Sequence, residues 1–251
     1  MGNMLYNTTL MKVDIVIPLY NEEKILTDSI MKLVEHLKSS SFPYDYSIIL
    51  ADNGSRDRTP LICSDLSRKY NNVKSLKIDG KGKGLAIRTA WMKSEADVLS
   101  FMDIDLSSDL DFFRPLIDSI AIKGNDMAIG NRLGPQSQVI SKKKVRKISS
   151  WFYNFFVRSL FGSRLADHQC GFKAMKRSSF EKIAPLLQER TWIFDTELIV
   201  ISQWYKYKID SIDIIWRDSS ESKVTLFKDS IGMFCDLLRL KSRLRKILIN
   251  K

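Results

Sequence analysis

The stretch Val98–Phe113, VLSFMDIDLSSDLDFF, decides how this chain is read. Its apolar run, Val98 to Met102, has the length of a buried strand, and it stops abruptly at Asp103, Asp105, Asp109 and Asp111. Such crowding of like charge costs free energy unless a cation or a helix N-terminus accepts it. Asp109 and Asp111, with Ser107 and Ser108, suit the cap and first turn of a following helix. The same capping account is open to Asp103 and Asp105, where a cation is the alternative.

Working outward, the pattern repeats. VDIVI (Val13–Ile17) predicts a strand ended by Pro18, with Asn21 capping a helix whose apolar positions are Leu26, Ile30, Leu33, Val34 and Leu37. YSIILA predicts a second strand ending at Asp52, then a turn, Pro60 and a helix to Tyr70. NVKSLKI predicts a third strand, followed by glycine-rich DGKGKG and a helix through Trp91. DMAIG predicts a fifth, ending at Asn131 and Arg132. Strands alternating with helices predict an α/β sheet with mostly parallel strands. Pro18–Glu22, Asp52–Gly54, Asp103–Asp105 and Asn131–Arg132 then all follow strand C-termini, the edge where open α/β sheets bind ligands.

The glycine loop, Gly80–Leu85, is not a Walker A loop, and Ile87 stands where a dinucleotide fingerprint needs its last glycine. Lys83 among these glycines suits a phosphate; a flexible basic turn is the plainer account.

A chain of 251 residues with 44% hydrophobic composition supports one sizeable core, alone or with a small extension. Cys63, Cys170 and Cys235 form no CxxC pair and no zinc spacing, which points to a reducing compartment. Met1–Leu10 lacks the pattern of a signal peptide, Tyr6 argues against myristoylation at Gly2, and no apolar run is long enough for a transmembrane helix. The net charge of +11 is concentrated: Val139–Ala166 has seven Lys/Arg and no acid, and Lys228–Lys251 has seven Lys/Arg and two acids. Such segments meet nucleic acid, anionic lipid or an anionic substrate.

Six motifs in order, IVIPLYNEE, ADNGSRDRT, GKGLAIR, DIDLS, GNRL and DHQCGFKA, resemble the inverting GT-A glycosyltransferases of family 2, in the branch that uses polyprenyl phosphates. The likeness runs from about Lys12 to about Lys223, and DHQCGFK, WIFDTEL and WRDSSESK look closest to dolichyl-phosphate glucosyltransferases. Asn53 stands where the family usually has a second acid, and Glu221-Ser222-Lys223 replaces its Gly-Ser-Lys. The resemblance implies a GT-A α/β fold over residues 1–225, with a basic amphipathic acceptor or membrane segment at 139–166, and a basic amphipathic helix at 226–251. It implies a nucleotide-diphosphate-sugar donor, UDP-glucose favoured and GDP-mannose next, and a polyprenyl or dolichyl phosphate acceptor. Pro18, Tyr20 and Glu22 would frame the nucleoside, Asp52 would accept from the base, and Lys83 would lie near the donor phosphates. For Tyr20 core packing is the alternative, and for Asp52 an Asx-turn. Asp103 and Asp105 would hold Mg2+ or Mn2+, hard cations that bridge diphosphate oxygens. Arg132 would clamp an anionic oxygen unless it makes a surface ion pair. Asp167 would position the acceptor rather than deprotonate it, because a phosphate monoester is largely anionic already. His168 reads as a packed loop residue.

Lys142, Lys143, Lys144, Arg146 and Lys147 precede Trp151 and Phe152 on a helix with an apolar stripe at Val145, Ile148, Phe152, Phe155 and Leu160. Cations at a helix N-terminus oppose its dipole, so an anionic membrane or the lipid phosphate explains them better than helix stability. In the tail, Phe227, Ile231, Phe234, Leu238, Leu244 and Leu248 form a second stripe. The expectation is an enzyme peripheral on the cytoplasmic face of a membrane, held there by either segment or by an anchoring partner subunit. A family 2 enzyme acting on a hydroxyl acceptor, a nucleic-acid-binding module and an inactive scaffold are the competing readings; nucleic acid leaves the acidic strand ends unexplained.

Overall fold

The computed structural model describes residues 11–141, 144–218 and 226–249. The readings on Met1–Leu10, Lys142, Lys143 and Glu221–Lys223 lie outside them, as do the side chains of Lys144, Val145, Arg146, Lys147, Ile148, Phe227, Ile231 and Leu248. The strands are β1 (Lys12–Leu19), β2 (Asp45–Asp52), β3 (Val73–Lys77), β4 (Val98–Met102), β5 (Met127–Asn131), β6 (Gln138–Ile140), β7 (Phe172–Lys176), β8 (Ile209–Asp213) and β9 (Ile215–Arg217). The helices are α1 (Leu26–Ser39), α2 (Thr59–Lys69), α3 (Lys83–Met92), α4 (Phe113–Ala121), α5 (Lys144–Phe161), α6 (Arg177–Ile183), α7 (Phe194–Trp204) and α8 (Leu226–Ile249).

Seven strands form one sheet in the order β3-β2-β1-β4-β7-β5-β8, and β6 pairs with β9 beside it. Only β7 runs antiparallel to its neighbours, β4 and β5; the other pairs in the sheet are parallel. Alternate residues of the central strands serve opposite faces. Val16, Leu99 and Phe101 pack with α3, α5, α7 and α8, while Val13, Ile15, Ile17 and Met102 pack with α1, α2 and α4. Both faces of β4 are therefore covered, and all five of its residues are buried, as its unbroken apolar run requires.

Local expectations fail in three places. Pro18 does not end β1, which continues to Leu19 against β2; pairing with β4 has already stopped at Val16, where a residue without an N–H is tolerated. Asn21 does not cap α1. It takes a left-handed conformation, φ 54°, and the amides of Ile25 and Leu26 donate instead to the Glu22 carbonyl. Asn21 Oδ1 accepts from the Arg56 amide at 2.8 Å and so joins the loops after β1 and β2. Asp109 does cap the turn at Leu110–Phe112, accepting from the Asp111 amide at 3.1 Å, but Ser107 and Ser108 do not: the Ser107 hydroxyl is buried without a partner and that of Ser108 faces Cys170.

The orientation of α5 and α8 is set by contacts that periodicity does not show. Phe152 and Phe155 face outward, and Tyr153, Asn154 and Val157 are buried, with the Tyr153 hydroxyl 2.6 Å from Thr196 Oγ1. On α8 the buried residues are Leu237, Leu240 and Leu244, whereas Phe234 and Leu238 are exposed. Both helices have apolar residues on two faces, and periodicity alone does not say which face meets the core. Phe156 and Phe234 touch edge to face at 5.0 Å, so the exposed aromatics of the two helices form one patch.

Arg243 fastens α8 to the body. Its guanidinium donates to the Leu186 carbonyl at 3.1 Å and to Glu197, a fully buried carboxylate on α7 that also accepts from the Gln188 and Glu189 amides at 2.9 Å. Removing the cation leaves that carboxylate uncompensated, at a cost of about 3 kcal/mol. Arg243→Ala should lower the thermal midpoint by several degrees and expose α8 to limited proteolysis; unchanged melting and cleavage would show that apolar packing alone holds the helix.

Candidate active site

Residues that follow strand C-termini converge on one crevice. After β4, the Asp103 amide donates to the Gly171 carbonyl at 3.1 Å, and the Asp103 carboxylate lies where a Cβ on Gly171 would meet it at 1.9 Å. Only glycine permits that approach. Lys83, the first residue of α3, places Nζ 2.8 Å from Asp103 Oδ1 and 3.2 Å from Asp195 Oδ2. Lys173, fully buried on β7, lies 2.5 Å from Asp195 Oδ1 and also donates to the Cys170 carbonyl. Asp103, Lys83, Asp195 and Lys173 thus form a chain of alternating charge.

Electrostatics follows from this order. Burial opposes the charge on Lys83, but Asp103 and Asp195 outweigh it and raise its pKa above the ordinary lysine value. Burial raises the pKa of Asp103; Lys83 pulls it down and Asp105 pushes it up, and the upward influences win. Asp105 turns back on its own loop, accepting from the Ser107 amide at 3.1 Å.

Around β1 and β2, Asp52 is buried and accepts from the Ser55 amide at 3.1 Å, an Asx-type turn. Asn53 Oδ1 accepts from the Gly82 amide at 3.2 Å. An amide oxygen there does what a carboxylate would do, without adding charge. Tyr20 lies under Lys81, whose Nζ is 4.2 Å from the ring centre. Pro18 is half-buried on β1, and the Glu22 amide donates to Thr59 Oγ1 at 2.8 Å.

On the other side of β4, Arg132 and Asp167 form a bidentate pair, Nε to Oδ2 at 2.7 Å and Nη2 to Oδ1 at 2.9 Å. The Arg132 amide donates to the same carboxylate at 3.1 Å, and so does the Gln169 amide. Arg132 also lies 5.7 Å from the Trp216 ring centre. Burial disfavours the Asp167 anion, but Arg132 overcomes it and brings the pKa down to about 2. His168 is buried and its pKa falls to about 4, chiefly from burial; its ring meets Ser163 Oγ and Asn154 Oδ1, each at 2.7 Å. It is a packed neutral residue.

The structure therefore joins Lys83 directly to Asp103, and Arg132 to Asp167, and it adds Asp195 and Lys173 between them. Sequence reading passed over those two. Asp195 lies inside WIFDTEL, and its signal was an acid in an otherwise apolar helix start; Lys173 lies inside a strand, where a lysine needs a buried partner. Among the described residues no three His, Cys, Asp or Glu side chains form a ready metal cage. Two carboxylates on one loop, one in a glycine cradle, still fit Mg2+ or Mn2+. Magnesium commonly uses one or two carboxylates and completes its shell with substrate phosphates and water.

A seven-stranded, mostly parallel sheet with a charged crevice along one edge is an α/β architecture that binds its ligand there. The architecture is similar to that of glucosyl-3-phosphoglycerate synthase from Mycobacterium tuberculosis, solved with Mn2+, UDP and glucosyl-3-phosphoglycerate: TM-score 0.66 at 15% identity, covering 93% of this chain and 80% of that one. Residues 14–184 match the model of glycosyl transferase family 2, and the chain belongs to that family. Glycosyltransferase AglD of Haloferax volcanii is 31% identical over 91% of this chain, which spans 36% of AglD's length. Dolichyl-phosphate beta-glucosyltransferase of Saccharomyces cerevisiae is 30% identical, over 91% of this chain and 74% of that protein. The human protein of the same name is 27% identical, over 95% and 78%.

The Asp167 carboxyl carries a stability signature. Its pKa is depressed in the folded chain, so its contribution is full above the unfolded value of about 4 and is lost as pH falls towards 2. The size is about 2 kcal/mol, from roughly two pKa units. Asp167→Asn should be less stable than wild type at pH 7 by about that amount, with the gap narrowing between pH 4 and 3 in denaturant titrations. A gap independent of pH would show that Arg132 does not hold the carboxyl ionised.

Proposed function

We propose that the chain transfers glucose from UDP-glucose to a polyprenyl or dolichyl phosphate at a membrane surface, with inversion at the sugar carbon. A phosphate oxygen of the lipid forms the new bond to that carbon as the bond to UDP breaks. The observation that carries this reading is the state of the crevice carboxylates. Asp103, Asp167 and Asp195 are each bonded to a cation, and Asp167 has a pKa of about 2. A carboxyl held ionised that far down, as Asp167 is by Arg132, is a poor proton acceptor at neutral pH. A lipid phosphate, with a second pKa of about 6, arrives largely ionised and needs none. A hydroxyl acceptor would need a base, so this favours the phosphate. The similarity to proteins named as dolichyl-phosphate glucosyltransferases points the same way.

In this reading Tyr20, Glu22 and Pro18 frame the nucleoside and Asp52 meets the base. Asp103 and Asp105 would hold Mg2+ or Mn2+, and the bound cation would supply positive charge against the departing diphosphate. Lys83 adds a fixed positive charge at Asp103. Arg132, oriented by Asp167, faces the acceptor phosphate. With labelled UDP-glucose, GDP-mannose and dolichyl phosphate supplied together, the product should be glucosyl phospholipid. Asp105→Asn should lower transfer at least a hundredfold while the melting curve is kept, and EDTA should abolish turnover. Mannosyl product, transfer only to a hydroxyl acceptor, or full activity in EDTA would each overturn the corresponding part.

Docking at the lipid is assigned to α5 and α8. Among the described residues no helix is long and apolar enough to cross a membrane. Trp151 and Phe152 are 53% and 50% exposed, and ring contacts run from Trp151 through Phe155 and Phe156 to Phe234. Exposed aromatics that follow Lys142, Lys143, Lys144, Arg146 and Lys147 in the sequence suit an anionic interface, each cation being worth about 1 kcal/mol there. Changing all five to Gln should sharply weaken sedimentation with anionic liposomes, most visibly at low salt. Identical sedimentation would move the docking role to α8 or a partner subunit. Tight salt-sensitive binding to RNA or DNA with indifference to vesicles would favour a nucleic-acid partner.

A further inference from the structure

Trp192 is 57% exposed and belongs neither to the core nor to the aromatic patch of α5 and α8. Single exposed apolar side chains are common on protein surfaces; what singles Trp192 out is its well-tied segment and its place beside Lys83. This segment is rigid. On one side the Arg190 carbonyl accepts from the Leu85 amide at 3.1 Å and packs where a Cβ on Gly82 would strike it at 2.1 Å. On the other, Ile193 and Phe194 are buried and Asp195 is fixed between two lysines. The Phe194 amide closes the turn onto the Thr191 carbonyl at 3.3 Å. The backbone holds the indole in place while the core leaves more than half of it uncovered.

A cation contact tells where it points. Lys83 Nζ lies 5.2 Å from the Trp192 ring centre and 2.8 Å from Asp103 Oδ1. The indole therefore stands beside the lysine that pairs with Asp103, at the place assigned to the donor diphosphate, while the Tyr20 ring, assigned to the nucleoside, is met by a different cation, Lys81. The donor group next to the diphosphate is the sugar. A hexose presents a face of C–H groups with slight positive charge, which matches the negative face of an indole.

We infer that Trp192 is the platform on which the hexose of the donor stacks, so that it governs binding of the sugar and leaves binding of the nucleotide alone. The inference rests on the nucleotide-sugar reading above. Stacking on a ring held in advance orients the sugar carbon for attack without an ordering cost at binding, and it uses the part of the donor that a free nucleoside diphosphate lacks.

The test compares UDP with UDP-glucose by calorimetry on the full chain in Mn2+ buffer, for wild type, Trp192→Ala and Trp192→Tyr. Trp192→Ala should bind UDP within twofold of wild type and UDP-glucose about tenfold more weakly, and Trp192→Tyr should restore most of the loss. Wild-type tryptophan fluorescence should respond more to UDP-glucose than to UDP, and that difference should vanish in Trp192→Ala. Equal weakening of both ligands, or no weakening of either, overturns the inference even if transfer falls. Unchanged donor affinities with a raised KM for the lipid acceptor would place the indole against the acceptor and overturn it too. If wild type binds neither UDP nor UDP-glucose, the donor reading fails, and the inference falls with it.

Discussion

The alternating chain Asp103–Lys83–Asp195–Lys173 is the constraint on which the rest of the crevice depends. Lys173 and Asp195 are almost fully buried and Lys83 nearly so, and each charge out of water costs several kcal/mol unless its partners are well placed. Here Lys83 and Asp195 each have a partner of opposite sign on either side. Helix dipoles split the members unequally: Asp195 in the first turn of α7 is favoured, whereas Lys83 at the start of α3 is opposed. Lys83 stays only because two carboxylates hold it. In doing so they tie the ends of β4 and β7 to the starts of α3 and α7, four segments far apart in sequence. Two glycines make the closeness physical: Gly84 abuts Phe194, and Gly171 makes room for Asp103.

The same chain shapes what the crevice can accept. Asp103, Asp195 and Asp167 face Lys83, Lys173 and Arg132, so the buried charges balance before any ligand arrives. A nucleoside diphosphate that brings a divalent cation adds little net charge and leaves that balance nearly intact. A diphosphate alone would meet Asp103 and Asp105 directly. A cation held by Asp103 and Asp105 would share Asp103 with Lys83, so Lys83 is the group whose partners would rearrange.

The first five strands, their order of appearance and the crevice edge were legible because they rest on apolar runs ending in polar or charged residues, a signal local to each segment; β7, central and antiparallel, and the short β6, β8 and β9 carry no such run and were not read. Asp103, Lys83, Arg132 and Asp167 were legible as candidates for the same reason, helped by family likeness. Their pairings were not, since Lys83 finds Asp103 only once β4 and α3 share a sheet edge, and Arg132 finds Asp167 across thirty-five residues. Asp195 and Lys173 look like ordinary surface charges in one dimension and become interior only through each other. The outward turn of Phe152 and Phe155 is what a membrane-facing reading of the segment expects, but periodicity alone does not decide it, because both helices have apolar residues on two faces. Which face wins is set by the Tyr153 hydroxyl bond to Thr196 and by Val157 in the core, both long-range facts.

The two helices that expose the aromatic patch also hold the loop beside Arg132. From α5, Asn154 accepts the His168 amide at 2.9 Å and meets its ring; from α8, Met233 receives the Gln169 side chain at 3.8 Å. Residues 168 and 169 directly follow Asp167, which orients Arg132. One face of the helix pair is thus turned outward with five aromatic rings, while the other fixes the loop that carries Asp167 beside Arg132. If the outer face sits on lipid, the depth of that contact and the position of the Arg132–Asp167 pair are parts of a single rigid arrangement. A phosphate headgroup at the interface would then meet a guanidinium already aimed, and the long prenyl chain would never need to leave the bilayer.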